Sequence, residues 1–282
     1  MAGKMDVANR WVLVTGAASG IGLSTARAFA KRGANIVLAD VDAAMLGQAM
    51  TEISATAAKC IAAPCDVSSD TSVAAFFATL RDRGIVPDVL VNNAGVAFLG
   101  GFLETPLAQW RRIFDVNVLG IVHMVRAFLP AMKASAGARC IVNVASAAAY
   151  LPAPNMAAYA ASKGAVKQLN EVLAMELAGS NVSVQCIYPG IINTPIVSGV
   201  KSVGGNVDAT QLAALQAYYI KQGGSPDAVG EDIANAVAAK SSHVYTGPMA
   251  LLGNLLSRIS TSLARKVSMV AARSNGYLPA QR

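Results

Sequence analysis

Tyr159 and Lys163 stand four residues apart within SAAAYLPAPNMAAYAASKGA (146–165). On a helix that spacing puts both side chains on one face, one turn apart. A free phenol ionises near pH ~10 and is a poor proton carrier at neutral pH. A neighbouring ammonium stabilises the phenolate and lowers that value, so the pair reads as a tuned proton donor and acceptor. From the pair alone, an incidental contact on a surface helix stays open. Tyr150 has no such partner and runs into LPAP. It reads as a loop residue that either lines a substrate pocket or simply packs.

A second stretch, TGAASGIG (15–22), supplies a different chemistry. Gly16, Gly20 and Gly22 let the backbone turn tightly and approach a pyrophosphate. The helix that follows offers free N–H groups and the positive end of its dipole. Asp40 stands where the next strand ends. A carboxylate there accepts hydrogen bonds from the adenine ribose hydroxyls and repels a 2′-phosphate. No Arg or Lys occupies the glycine turn or directly follows Asp40. The expected cofactor is therefore NAD rather than NADP, with Asp40 as a plain turn residue the alternative.

These groups need elements to hold them. Apolar runs at 11–16, 34–40, 60–67, 87–95, 139–146 and 181–190 read as six strands. Helical stretches alternate with them at 21–32, 43–58, 72–83, 106–134 and 157–178, the fourth interrupted near Asn117. Such alternation predicts an α/β fold, a Rossmann-type doubly wound parallel sheet with helices on both faces. The strands are continuous apolar runs, as expected when both faces are buried.

Composition narrows the class. Of 282 residues, 54% are apolar and 14% charged, which excludes disorder and permits a large core with surplus apolar surface. No run of about 18 residues is free of charges and breakers, so a spanning helix is not expected. No signal-peptide pattern is present. Cys60, Cys65, Cys140 and Cys186 lack CxxC spacing and read as reduced core thiols of a cytoplasmic protein. With His123 and His243 they assemble no metal site. The net charge is +7, and no acidic residue follows Asp232.

Taken in order, TGAASGIG (15–22), Asp66-Val67, NNAG (92–95), Asn117, Ser146, YAASK (159–163) and PG followed by Thr194 resemble the short-chain dehydrogenase/reductase family over about residues 8 to 245. The resemblance implies that Tyr159 is the general acid–base group and that Ser146 holds the substrate oxygen. It implies that Lys163 lowers the tyrosine pKa and binds the nicotinamide ribose, and that Asn117 holds a relay water. Asp66 and Val67 would contact adenine, and Asn93 would support the ribose side. Thr194, with the backbone near Ile192, would fix the carboxamide. Ser19, Ile21, Ala94, Gly95, Pro189 and Gly190 fall within these motifs and are carried over as cofactor contacts. A homo-oligomer, tetramer or dimer, is implied as well.

Residues 195–224 interrupt the strand pattern and read as a lid inside a single domain spanning 1–248. Leu212, Leu215, Tyr218 and Tyr219 could present an apolar wall to substrate. The chain then departs from the family pattern with a helical extension over 249–282. Leu252, Leu256, Ile259, Leu263, Val267 and Val270 follow helical spacing, flanked by Arg258, Arg265 and Lys266. Packing within the subunit or across an interface is the favoured reading of that stripe. Covering a pocket entrance and lying on an anionic membrane surface are the others. Nucleic-acid binding is not expected, because the positive charges are few and no aromatic platform accompanies them.

The expected activity is NAD(H)-dependent interconversion of a secondary alcohol and a ketone, with a lipophilic substrate such as a hydroxysteroid, long-chain or aryl alcohol. One alternative is a 3-oxoacyl thioester reductase using NADPH. Another is a cofactor-binding protein that has lost catalysis, against which the intact Asn117, Ser146, Tyr159 and Lys163 argue.

Overall fold

The computed structural model describes residues 5–200 and 203–278. Lys201 and Ser202 of the expected lid, and 279–282 at the end of the expected extension, lie outside the described residues.

Among the described residues, seven parallel strands form one sheet: β1 (Trp11–Thr15), β2 (Asn35–Asp40), β3 (Cys60–Pro64), β4 (Val89–Asn92), β5 (Arg139–Val144), β6 (Val182–Pro189) and β7 (His243–Thr246). Their order is β3-β2-β1-β4-β5-β6-β7. The order reverses between β1 and β4, so a crevice opens above the carboxyl ends of the central strands. Strand β7 escapes sequence reading. Its four residues, HVYT, are half-exposed at the sheet edge and carry no apolar run.

The sheet is covered on both faces, and strand alternation sorts the core. Val12 and Val14 of β1 and Ile36 and Leu38 of β2 point to one side. They meet α1 (Gly20–Ala30), α2 (Ala43–Ser54) and α9 (Pro226–Ala239) through Phe29, Ile53 and Ile233. Leu13, Val37, Leu90 and Ile141 point to the other side. They meet α3 (Asp70–Arg81), α5 (Gly120–Ala134) and α6 (Ala157–Glu176) through Phe76, Phe128 and Val166. Helix starts are marked by side-chain caps: Asp42 accepts from the Ala44 and Met45 N–H groups, and Ser69 accepts from Ser72 N–H.

The expected break near Asn117 is a π turn, Asp115–Leu119, between α4 (Leu107–Phe114) and α5. The continuous helical run Leu107–Ala134 is long and apolar enough to cross a membrane by composition. Here Phe128, Met124 and Met132 sit fully buried against the sheet.

The segment after β6 holds a short helix α7 (Pro195–Ser198) and α8 (Ala209–Gln222), the latter started by an Asp208–Gln211 capping box. The C-terminal stretch is not one helix but two, α10 (Ala250–Ile259) and α11 (Thr261–Ser274), divided at Ser260. Ser260 is extended, and its hydroxyl accepts from Leu263 N–H. Of the expected apolar stripe only Leu256 and Val267 are half-buried, so the stripe supplies a small part of the packing face. Gly253, Asn254, Ala264 and Ala272 are buried instead, while Leu252, Ile259, Leu263 and Val270 stay exposed. Small residues let the two helices lie close to the domain, and the large ones are left outside. A separate apolar cluster joins this region to α8: Val207 and Leu215 pack with Ala272 and Tyr277. Gln211 Nε2 also donates to the Tyr277 carbonyl at 3.2 Å.

Candidate active site

A cavity of about 740 Å³ runs along the crevice at the carboxyl ends of the strands. That is room for a dinucleotide with a small molecule beside it.

Its phosphate end is the turn between β1 and α1. Gly16 and Gly20 take left-handed backbone, φ 62° and 54°. A Cβ on Gly22 would sit 2.0 Å from the Gly16 carbonyl, so only glycine closes the turn against the start of α1. Gly16, Ser19, Gly20 and Ile21 line the cavity. Gly22 does not; it is the close-packing position behind the turn. Asn93 clamps the same turn by donating from Nδ2 to the carbonyls of Thr15 and Gly16, at 3.0 and 3.2 Å. The Thr15 hydroxyl in turn accepts from the N–H groups of Asn93 and Ala94.

Asp40 lies at the end of β2. One carboxylate oxygen accepts from Ala18 N–H at 2.9 Å and the other from Asp42 N–H at 3.1 Å. Each oxygen keeps further acceptor capacity, and Asp40 lines the cavity. The next residue, Val41, is exposed and uncharged. Asp66 and Val67 line the cavity beyond, with Asp66 held by the Ser68 N–H and hydroxyl at 2.9 and 2.6 Å. The glycine cradle, the helix start and the strand-end carboxylate fit a pyrophosphate-linked dinucleotide.

Its chemical end is built on β5 and α6. Tyr159 and Lys163 follow one another by a turn of α6. The Lys163 Nζ donates to the Val144 carbonyl at 2.8 Å and lies 5.8 Å from the Tyr159 ring centre. Burial pulls Lys163 down to about 8. Burial also lifts the Tyr159 phenol above its ordinary value, and the Ser146 hydroxyl that hydrogen-bonds it pulls it partly back. Burial thus dominates at the phenol, and the group that opposes it is Ser146 rather than the expected ammonium. Ser146 ends the β5 loop, where its oxygen accepts from Ala148 N–H at 3.1 Å.

Asn117 is fully buried and does not line the cavity. It donates to the Val96 carbonyl and to Ser162 Oγ, at 3.0 and 2.9 Å, and accepts from Val96 N–H at 2.8 Å. Ser162 passes the tie on to the Tyr159 carbonyl at 2.7 Å. Thus the π turn, the loop after β4 and the helix bearing Tyr159 are joined by one polar chain. Ser162 was not singled out from sequence, although its place inside YAASK, three residues from Tyr159, was the available signal. Gly95 lies between Asn117 and Lys163. A Cβ there would approach Asn117 Oδ1 to 3.3 Å and Lys163 Nζ to 3.5 Å.

The remaining residues separate cleanly. Ala94, Gly95, Pro189, Gly190, Ile192 and Thr194 line the cavity, as do Leu215, Tyr218 and Tyr219. Leu212 does not; it packs among the lid and tail residues around Tyr277. Tyr150 does not either. Its hydroxyl donates to the Ala250 carbonyl at 2.5 Å, and its ring packs against Tyr188 and Tyr245. It fastens α10 to the domain. The tail does reach the cavity: Val267, Ser268, Ala271 and Asn275 of the α11 region form part of its wall, with Met249 before α10. Val267 belongs to the expected apolar stripe, whereas Ser268, Ala271 and Asn275 lie outside it, which is why the stripe revealed only the first of these.

Comparison with known proteins agrees with this arrangement. A family model described as short chain dehydrogenase matches residues 10–203. The probable oxidoreductase EphD of Mycobacterium tuberculosis is 38% identical over 241 residues, 81% of this chain but 39% of that protein. The chain thus spans about two fifths of the EphD length. Cyclopentanol dehydrogenase of a Comamonas species is 33% identical over 88% of this chain and 97% of its own. A short-chain dehydrogenase/reductase from Burkholderia phymatum, solved with NAD, superposes with a TM-score of 0.81 at 30% identity over 99% of both chains. The 3-ketoacyl-(acyl-carrier-protein) reductase of Brucella melitensis, solved with NADH, gives 0.71 at 30% identity over 84% of this chain and 96% of that one.

Proposed function

The chain belongs to the short-chain dehydrogenase family, and from that premise we propose that it interconverts a lipophilic secondary alcohol and its ketone, using NAD in preference to NADP. The observation that carries this reading is the group of buried Ser146 and Lys163 with half-buried Tyr159 in the wall of a dinucleotide-sized crevice.

When bound, the nicotinamide supplies the carbon that takes up or returns hydride. The chain's residues do the rest. Gly16, Ser19 and Gly20 would hold the pyrophosphate against the start of α1. Asp40 would accept from the adenine ribose hydroxyls, Asp66 and Val67 would face the adenine, and Thr194 with the Ile192 backbone would fix the carboxamide. Ser146 donates to the substrate oxygen and holds it beside the Tyr159 hydroxyl. In oxidation the Tyr159 phenolate accepts the alcohol proton, and in reduction the phenol returns it to the ketone oxygen. Lys163, anchored on the Val144 carbonyl, keeps its other N–H groups for the ribose and favours the phenolate when charged. Asn117 acts through Ser162 as a positioning group for α6.

Lipophilic substrates are favoured by the apolar part of the wall, to which Leu151, Pro154, Met156, Val197 and Leu215 contribute. Cofactor choice alone does not separate this reading from a thioester reductase, because the Brucella 3-ketoacyl reductase was solved with NADH. Substrate turnover does. NADH and NADPH are titrated by fluorescence, and NAD reduction is then assayed with small, aryl, long-chain and steroid alcohols beside an acyl thioester in the reverse direction. Tighter NADH binding by at least about tenfold, with turnover on bulky alcohols, is the expected result. NADPH preference with turnover confined to the thioester would replace the reading.

A further inference from the structure

The two C-terminal helices present two different sides. The inner side of α11 closes the active-site cavity through Val267, Ser268 and Ala271. The outer side of α10 carries Leu251, Leu252, Leu255 and Ile259, exposed by 55%, 54%, 49% and 77%. At 100° per residue these four fall within one face of the helix, opposite the buried Ala250, Gly253 and Asn254. Leu263 and Val270, seven residues apart on α11, are exposed as well, beyond the bend at Ser260. Four exposed large apolar side chains on one helix face mark an interaction site.

The charge around it identifies the occupant. Arg258 is exposed beside the patch on α10, Arg265 and Lys266 are exposed on α11, and among the described residues no ion pair engages them. From residue 233 to 282 the sequence has six basic residues, Lys240, Arg258, Arg265, Lys266, Arg273 and Arg282, and no acidic one. A two-fold contact between copies would lay this patch on itself and oppose like charges. An anionic bilayer offers both complements at once, acyl chains for the leucines and headgroups for the arginines and lysine.

We infer that the α10–α11 corner is a membrane-surface docking site: Leu251, Leu252, Leu255 and Ile259 enter the headgroup boundary of an anionic bilayer while Arg258, Arg265 and Lys266 engage lipid phosphates. In that orientation α11 stands between the lipid and the active-site cavity. The inference concerns binding and does not depend on which alcohol is turned over.

The test is flotation of the full chain with vesicles of phosphatidylcholine, alone or mixed with phosphatidylglycerol. The wild-type chain floats with the mixed vesicles and not with phosphatidylcholine alone. The double change Leu255→Glu and Ile259→Glu abolishes flotation while leaving the melting temperature and the turnover of a water-soluble alcohol unchanged. Replacing Arg258, Arg265 and Lys266 by Gln weakens partitioning roughly 10–100-fold, from up to about 1 kcal/mol per basic residue. Equal or absent flotation with both vesicle types overturns the inference. So does a fall in solution mass for the Leu255→Glu/Ile259→Glu chain, which would make the face a contact between copies. Flotation without alcohol turnover by the wild-type chain would leave this inference standing and remove the functional reading instead.

Discussion

Lys163 shows what the residue scale decides. Its amine is buried with one carbonyl partner, and burial pulls its pKa from 10.5 down to about 8. The sign of the stability effect follows. Below about 8 the folded state bears the cost of a buried charge. Between about 8 and 10.5 the unfolded chain holds the proton more tightly, so stability rises with pH across that window. A Lys163→Met chain has no such charge. It melts above the wild type by its largest margin below pH 8, and the margin shrinks as pH rises toward 10.5. Paired thermal melts between pH 7 and 10 check this, and a constant margin would contradict it. The same scale explains why two tyrosines that look alike in sequence part company. Tyr159 faces the cavity beside Ser146, whereas Tyr150 turns its hydroxyl to the Ala250 carbonyl in an aromatic cluster.

At the scale of elements, the β1–α1 turn depends on one absent methyl. Gly22→Ala places a Cβ against the Gly16 carbonyl, so NADH affinity falls by at least about 100-fold and the domain loses stability. Gly47→Ala on α2 meets no atom within 4 Å and stabilises by up to about 1 kcal/mol. Fluorescence titration and melting of both chains test the contrast; equal effects would contradict it. Elements of this kind were legible because their signals are local. Six of the seven strands, the glycine turn and the break at Asn117 each follow from a continuous run or a short motif. The seventh strand was not legible, because HVYT takes its place only by pairing with β6. The tail was legible only in part, because a stripe at helical spacing shows which residues are apolar, not which side the domain will cover: Val267 reaches the cavity wall, while Leu252, Ile259, Leu263 and Val270 stay exposed. Here the small face of Gly253, Ala264 and Ala272 wins, since it allows close approach. Leu212 and Tyr150 failed as pocket residues for a related reason: each has a better packing partner far away in sequence, Tyr277 and Tyr245.

Over the whole molecule, the parallel sheet supplies a rigid floor and the variable parts supply the roof. The reversal of strand order between β1 and β4 sets the crevice, and loops from β1, β2, β4, β5 and β6 bring its polar groups to one level. Helix α8 and the tail close over it through the Leu215–Ala272–Tyr277 cluster, so the part of the chain least determined by the sheet forms the substrate side. The account stands or falls on Tyr159. Tyr159→Phe removes one oxygen from the cavity wall and leaves the glycine cradle, Asp40 and Lys163 in place. The decisive measurement is its steady-state turnover beside its NADH affinity. The account predicts NADH binding within about twofold of wild type and a fall in kcat/KM of about 10²- to 10⁴-fold. Turnover close to wild type with the phenol removed would contradict it.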